Sequence, residues 1–234
     1  WHKKIPYLIL GNGTNLLVKD SGITGVVIVL TQCLTSISQT DRNTHGIIVT
    51  AMAGAPMKTL CSFALKRGLD GMNFALGIPG TVGGGIMMNA GTSYGSMEGV
   101  LESINIMLPT GEVRNIKKQD LDFAYRKLSW NKEDMEGHPG QQVILDGRFR
   151  LTPSDPEKLK KQARKMLQTS RKTQPKGTST NLLNNARRRS TGSRISSMPS
   201  IRAVPRALIV SITGSFSKIS KVASAAAAPA TLPE

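Results

Sequence analysis

The sequence is poor in several residue types, and each scarcity excludes a class of protein. Two cysteines in 234 residues are too few for a disulfide scaffold or a zinc cluster and fit a reducing compartment. The three histidines show no metal-ligand spacing, so no metal is expected. No apolar run reaches the roughly 18–20 residues that a membrane span needs. No basic-apolar-cleavage pattern opens the chain, and no secretory signal is therefore predicted.

Acidic and aromatic residues are scarce in one part of the chain only. Residues 1–153 contain 15 Lys and Arg against 12 Asp and Glu, a net charge of +3. Residues 154–234 contain 16 Lys and Arg against 3 Asp and Glu, a net charge of +13. Only one of the ten aromatic residues lies after residue 150. The overall charge of +16 therefore describes neither part, and the sequence predicts a globular region followed by a basic one.

The first region mixes strand and helix patterns, which predicts an α/β fold. Short apolar or β-branched runs predict strands at 6–10, 16–18, 25–30, 46–51 and 143–151, and a hairpin over 104–116. Apolar spacing predicts an amphipathic helix over 56–67 that Gly68 closes. Ser154 is predicted to cap a basic helix over about 157–170.

Glycine is concentrated in one apolar stretch, residues 75–95, which contains seven glycines and one proline. Residues 77–80 must form a turn, and residues 81–85 are predicted to have a low propensity for both strand and helix. Glycines this dense indicate that a ligand or another segment approaches the backbone closely. Their unshielded backbone N–H groups are suited to donating hydrogen bonds to a pyrophosphate. A loop-rich core that packs against itself is the alternative. Neither the Rossmann fingerprint nor the P-loop pattern occurs.

Short motifs follow one another in a specific order along the chain. They are L-G-N-G-T-N-L-L-V at 10–18, A-G-A at 53–55, G-I-P-G-T-V-G-G at 77–84, N-A-G at 89–91, Y-G at 94–95, F-A-Y-R at 123–126 and T-Q-P at 173–175. Their identity and order resemble the bacterial UDP-N-acetylenolpyruvoylglucosamine reductases. The resemblance covers roughly residues 5–176, about three quarters of the chain.

The resemblance implies a fold of the α/β (α+β) class. It consists of an FAD-binding domain of the vanillyl-alcohol-oxidase (PCMH) type at 1–153, with its first part missing, and a linker helix with the start of a substrate-binding domain at 154–180. A basic low-complexity tail follows at 181–234. The implied activity is a cytoplasmic step of peptidoglycan precursor synthesis, and hence of cell wall biogenesis, cell shape and cell division. Hydride passes from NADPH to FAD and then to the enolpyruvyl ether of a UDP-sugar.

The same resemblance implies roles for individual residues. It implies FAD contacts for Gly11, Asn12, Gly13, Thr14, Asn15, Leu16, Gly77, Ile78, Pro79, Gly80, Thr81, Gly83, Gly84, Asn89, Ala90 and Gly91. The loops 11–15 and 77–84 are accordingly expected to be adjacent in space and to face one cleft.

Arg126 matches the catalytic arginine of the family. A planar, permanent cation can bind, through two hydrogen bonds, the charge that develops on the substrate carboxylate as hydride adds. Its guanidinium is expected to point towards the cleft lined by residues 89–91; the alternative is a surface arginine at a strand end. Tyr125 is a candidate substrate contact. Lys172, before T-Q-P, is a candidate contact for substrate phosphate, with a solvated helix-end lysine as the alternative.

The chain departs from the family after about residue 180. Leu182 falls where the family has the serine or cysteine that donates a proton, and Ser179 lies nearby but out of register. No late glutamate matches either. Residues 178–233 contain no Asp or Glu, which fits a disordered basic tail or a reading-frame error. Such a tail is expected to make few contacts with the body, and the chain to be catalytically weak.

Two other functions are alternatives to the reductase. A basic nucleic-acid-binding protein is supported by the charge and by the arginine run at 187–189, but the tail lacks stacking aromatics. Another FAD-dependent oxidase of the same fold is the second alternative, but the Y-R and T-Q-P motifs argue against it. The expected partner is a UDP-sugar, with no membrane association and with nucleic acid disfavoured.

Overall fold

A computed structural model describes residues 5–18, 22–43, 46–130, 142–173 and 207–211 of the chain. Its main element is a six-stranded sheet of antiparallel pairs. Five of its strands follow the order β3 (Ile37–Asn43), β4 (Gly46–Met52), β12 (Val143–Pro153), β8 (Leu101–Met107) and β9 (Val113–Lys117), and β5 (Leu69–Asp70) pairs with the end of β12. The long strand β12 is therefore the centre of the sheet.

A second, parallel sheet contains β1 (Tyr7–Leu10), β2 (Gly25–Val29) and β13 (Ala207–Ser211), with β2 in the middle. Two short antiparallel pairs are β6 (Gly91–Thr92) with β7 (Gly95–Ser96), and β10 (Leu121–Ala124) with β11 (Lys127–Trp130). The helices are α1 (Met57–Lys66), α2 (Val82–Met87), α3 (Met97–Val100) and α4 (Pro156–Thr173). Short 3₁₀ helices lie at Leu30–Gln32, Asn73–Ala75 and Lys118–Asp120.

The core lies on one face of the large sheet. Side chains alternate along β12, so that Phe149 and Leu151 are fully buried while Arg148 and Arg150 lie on the opposite, partly exposed face. Leu60 of α1 and Ile86 of α2 cover the buried face and are themselves fully buried. This packing holds α2, and the glycine-rich segment that leads into it, against the sheet.

Most predicted elements are present, including the strands near 6–10, 25–30, 46–51 and 143–151, the hairpin over 104–116 and the helix at 56–67. The strand predicted at 16–18 is wrong, because these residues continue the loop and Leu17 is 77% exposed, with no core to pack against. The predicted cap of α4 is also wrong. Asp155 Oδ1 accepts the N–H of Glu157 at 2.8 Å, whereas the N–H of Ser154 donates to Gly68 O at 2.7 Å.

Residues 81–85 begin a helix, although the sequence predicts them to be poor as one. Thr81 caps α2, and its Oγ1 accepts the N–H of Gly84 at 3.4 Å. A Cβ at Gly83 would lie 2.7 Å from Ala53 Cβ, and one at Gly85 would lie 2.8 Å from Met97 Cε. These glycines are needed for close packing, and tertiary contacts override their low helix propensity.

The basic tail contributes a strand to the body, which the sequence does not predict. Residues 207–211 form β13 and pair in parallel with Gly25–Val29 of β2. The expectation of few contacts is therefore wrong for these five residues. Backbone hydrogen bonds require no particular side chain, so a segment without aromatics or acids can still extend an open sheet edge. Residues 181–206 and 212–234 lie outside the described residues.

We expect a chain that ends at residue 206 to expose one edge of β2. The N–H of Val26 donates to Pro6 O at 2.9 Å, and successive N–H groups point to opposite edges, so Val27 and Val29 face β13. Their amides should exchange with solvent about tenfold faster or more after truncation. The amides of Val26 and Ile28 face β1 and serve as internal controls in hydrogen-exchange mass spectrometry. Equal rates in both chains would contradict the pairing.

The outer face of the large sheet contains an ion pair with a testable pH dependence. Arg150 Nε and Nη2 donate to the two oxygens of Glu102 at 2.7 and 2.8 Å, and this hydrogen bonding lowers the pKa of Glu102. A lowered pKa in the folded state gives stability that is present above the unfolded pKa and is lost as pH falls through the folded value.

We therefore expect Glu102→Gln to reduce the free energy of unfolding at pH 7, by less than about 1 kcal/mol because both side chains are one third exposed. The difference from the parent chain should shrink below about pH 4. Urea unfolding at several pH values measures it. Glu112→Gln is the comparison, since Glu112 and Arg114 form a more exposed pair, with side chains 55% and 41% exposed, and their loss should reduce stability less. A pH-independent difference would contradict the assignment.

Candidate functional site

Two glycine-dense loops meet at one place on the surface. The first follows β1, and the second leads into α2. A Cβ at Gly11 would overlap the Thr81 hydroxyl, and a Cβ at Gly80 would lie 3.0 Å from Thr14 Oγ1. Asn15 Nδ2 donates to Met88 Sδ at 3.6 Å, which adds a link just beyond α2. The expectation that these loops are adjacent is thus confirmed, and the cleft that they are expected to face stays a prediction.

Backbone conformation explains why glycine is required in these loops. Gly80 has a φ of +115°, and Gly13 has a φ of +66°, both in the left-handed region that side chains rarely adopt. A Cβ at Gly13 would meet no atom within 4 Å, so open space lies above this turn. The first loop therefore presents bare backbone to solvent.

The donors in this loop match the needs of a phosphate. Within the described part of the chain, the N–H groups of Asn12, Gly13 and Thr14 form no hydrogen bond. All three residues are exposed. Adjacent unpaired N–H groups in a glycine turn form a concave set of donors that suits phosphate oxygens. The residues present therefore fit the pyrophosphate of a dinucleotide.

Arg126 lies at the tip of the β10–β11 hairpin. Tyr125 and Arg126 form its two-residue turn, and the guanidinium carbon lies 5.6 Å from the centre of the Tyr125 ring. Tyr125 is 91% exposed, so the tip projects into solvent. Asn89 Nδ2 donates to Ala124 O at 3.4 Å, which brings the tip beside the N-A-G motif. The orientation of the guanidinium towards residues 89–91 stays a prediction.

Other predicted site residues occupy varied environments. Ala90 is 3% exposed and packs in the core, where its N–H donates to Gly85 O at 2.8 Å. A Cβ at Gly91 would lie 2.8 Å from Gly95 O, so this glycine permits the β6–β7 approach. Leu16 is 41% exposed beside the first loop. Lys172 lies in the last turn of α4, but its side chain, like Ser179 and Leu182, lies outside the described residues.

The candidate site is an exposed surface and lies apart from two cavities in the fold. One cavity, of about 630 Å³, lies over the outer face of the large sheet near Glu102 and Arg148. The other, of about 390 Å³, lies between α4 and the 3₁₀ helix that contains Asn73. Neither is lined by residues of the two glycine loops. Among the helices that the structure describes, none is both long and apolar enough to cross a membrane.

Comparison with known proteins gives consistent matches. Residues 1–117 match the family described as FAD binding domain. UDP-N-acetylenolpyruvoylglucosamine reductase of Desulfosudis oleivorans is 40% identical over 177 residues, which are 75% of this chain and 56% of that protein. The enzyme of the same name from Lactobacillus acidophilus is 44% identical over 152 residues, 65% of this chain and 47% of that protein. The chain spans about half the length of these curated relatives.

A solved structure shares the fold. UDP-N-acetylenolpyruvylglucosamine reductase (MurB) from Thermus caldophilus superimposes with a TM-score of 0.57 at 28% identity, over 79% of this chain and 67% of that one. The matched family is of the PCMH type, so the predicted fold class is confirmed. The chain therefore belongs to the FAD binding domain family, and its resemblance to the UDP-N-acetylenolpyruvoylglucosamine reductases is confirmed.

Proposed function

We propose that the chain binds FAD along its two glycine loops. The observation that carries this proposal is their mutual approach, in which Gly11 lies against Thr81 and Gly80 lies against Thr14 while neighbouring N–H groups remain free. The loops would hold the pyrophosphate, and residues 77–84 would follow the chain that leads towards the flavin. Gly91 lies at the end of this segment, where the flavin would be bound.

We further propose that the chain is the flavin-binding part of a UDP-N-acetylenolpyruvoylglucosamine reductase. When bound, FAD would supply hydride transfer from NADPH to the enolpyruvyl ether, which yields UDP-N-acetylmuramate for peptidoglycan in the cytoplasm. Arg126 would bind the substrate carboxylate and stabilise the negative charge that develops there. Tyr125 would contact the substrate, and Lys172 would bind its phosphate.

The domain boundaries form part of the same proposal. Residues 1–153 would constitute the FAD-binding domain, residues 154–180 a linker helix with the start of the substrate domain, and residues 181–234 a basic tail. Leucine has no exchangeable proton, so Leu182 cannot replace the acid expected at that position. Protonation of the substrate would be left to solvent, and the loss of a positioned acid lowers rates by about 10²–10⁴.

Titration with FAD tests the first step. We expect the purified chain to bind FAD, and the bound flavin to show an altered absorption spectrum. In steady-state assays, NADPH oxidation should depend on the UDP-enolpyruvyl sugar and be slow compared with an intact reductase. Reoxidation of the reduced flavin by oxygen alone would indicate an oxidase. Absence of flavin binding would contradict the proposal. A rate equal to that of an intact reductase would show that the chain contains a proton donor other than the one expected near residue 182.

A further inference from the structure

Asn89 and Arg126 share an unusual backbone conformation. Among the residues that the structure describes, they are the two non-glycine residues with positive φ, +37° for Asn89 and +59° for Arg126. The left-handed conformation costs roughly 1–2 kcal/mol for a residue with a side chain, although asparagine tolerates it better than most. Such conformations persist where the surrounding structure holds them. The side chain of Asn89 also contacts the hairpin that contains Arg126.

The amide of Asn89 makes two hydrogen bonds in opposite directions. Its Oδ1 accepts the N–H of Glu98 at 3.1 Å, in the first turn of α3. Its Nδ2 donates to Ala124 O at 3.4 Å, in the residue before the hairpin turn. One side chain therefore links the body of the protein to the hairpin tip that contains Arg126. Both functions of the amide are needed, since a carboxylate could accept from Glu98 but could not donate to Ala124.

The hairpin has an anchored base and a weakly held tip. At the base, Leu121 is 8% exposed and Trp130 Nε1 donates to Gln142 Oε1 at 2.5 Å. Nearer the turn, Leu128 is 4% exposed and its partner Phe123 packs against the core, so the hairpin is anchored by apolar contacts up to this pair. Tyr125 and Arg126 at the tip are exposed. Within the described residues, no hydrogen bond from outside the hairpin other than that of Asn89 reaches residues 123–127. A two-stranded hairpin is marginally stable by itself, so this bond restricts the position of the tip.

We propose that Asn89 is a positioning residue, which fixes the β10–β11 turn and thereby places the Arg126 guanidinium for substrate. The inference rests on the proposed function of Arg126 and changes the role of Asn89 from a flavin contact to a clamp on the hairpin. The positive φ of Arg126 belongs to the two-residue turn itself, and the hydrogen bond from Asn89 to Ala124 O fixes where that turn lies. The substrate group that the clamp orients Arg126 towards is a carboxylate.

Two substitutions separate the functions of the Asn89 amide. Asn89→Asp keeps the acceptor for Glu98 and removes the donor to Ala124. Asn89→Gly removes both and accommodates the positive φ without strain. Asn115→Asp is the matched control, because Asn115 is an exposed asparagine on the large sheet whose Nδ2 donates to Asn105 Oδ1 at 2.9 Å, away from the hairpin.

Hydrogen exchange of the full chain without ligand tests the clamp directly. Both Asn89 variants should raise amide exchange in residues 123–127 by about three- to tenfold, the effect of losing one hydrogen bond, and the control should leave these amides unchanged. Exchange in β12 should be unaffected in all variants. Unchanged exchange at the hairpin in both Asn89 variants would overturn the inference, whether or not the chain binds FAD.

Binding measurements distinguish a clamp from a flavin contact. FAD affinity of Asn89→Asp should stay within about twofold of the parent, while binding of the UDP-enolpyruvyl sugar to the FAD-loaded chain should weaken about three- to tenfold. In an Arg126→Ala background the same substitution should have no further effect, because the residue that it positions is gone. Additive effects, or a loss of FAD affinity, would overturn the positioning role. If Arg126→Ala itself leaves sugar binding and turnover intact, the proposed function fails instead, and the exchange result still decides whether Asn89 holds the hairpin.

Discussion

Gly11→Ala is expected to weaken FAD binding by about 10- to 100-fold while most of the fold remains intact. The added Cβ would overlap Thr81 Oγ1 and lie 3.2 Å from Thr81 Cγ2. Rotation of Thr81 relieves the overlap in only one of its three staggered rotamers, the one that places neither Oγ1 nor Cγ2 there. Thr81 is only 4% exposed and caps α2, so the first loop must move instead. Overpacking of this kind costs about 1–3 kcal/mol, and 1.4 kcal/mol corresponds to a factor of ten in affinity.

A second substitution tests whether this contact is the cause. Thr81→Ala removes both overlapping groups and leaves Thr81 Cβ, at 3.3 Å, as the nearest neighbour. The Gly11→Ala, Thr81→Ala double variant should therefore bind FAD more tightly than Gly11→Ala alone. This holds despite the loss of the helix cap, which costs about 1 kcal/mol of stability. Gly99→Ala is the control, since a Cβ at this exposed helical glycine would meet nothing within 4 Å. Fluorescence titration with FAD measures all four chains, and a double variant no better than Gly11→Ala would show that loop approach does not limit binding.

Elements whose structure is determined by residues close together in the sequence could be predicted. The β-branched runs of β2 and β4 and the apolar spacing of α1 specify their structure within a few residues, and the core supplies the burial that they require. The glycine loops could also be located, because seven glycines in 21 residues indicate close approach of the backbone. Their adjacency followed from assigning one pyrophosphate to both loops.

Features that depend on distant partners could not be predicted. Helix α2 contains three consecutive glycines, and two of them, Gly83 and Gly85, lie so close to Ala53, Met57 and Met97 that no side chain would fit. The clamp from Asn89 spans 35 residues and ends on a backbone carbonyl, which has no sequence signature. Strand β13 could not be predicted from the composition of the tail, which is basic and poor in aromatics. Its pairing with β2 is made by backbone groups and does not depend on that composition.

Replacement of Arg126 is expected to separate catalysis from folding and from flavin binding. Arg126→Gly removes the cation and also the strain at φ +59°, since glycine adopts this conformation freely. We expect its stability to equal or slightly exceed that of the parent chain. Turnover should fall by about 10²–10³-fold, the usual effect of removing one group that stabilises developing negative charge. FAD affinity should change little, because the guanidinium acts on the substrate.

The chain spans about half of its relatives, so turnover is best measured in a hybrid in which residues 5–173 replace the matching part of the Thermus caldophilus enzyme. Arg126→Lys is the informative companion. It keeps the charge but has no planar pair of donors for a carboxylate, and it should recover only part of the rate. If Arg126→Gly turned over at the parent rate, its strained conformation would require a structural explanation and the carboxylate would need another partner. If stability fell together with activity, the arginine would be holding the hairpin rather than acting on substrate. Retained stability and FAD affinity with lost turnover is the combination expected of a group that acts on the reacting substrate.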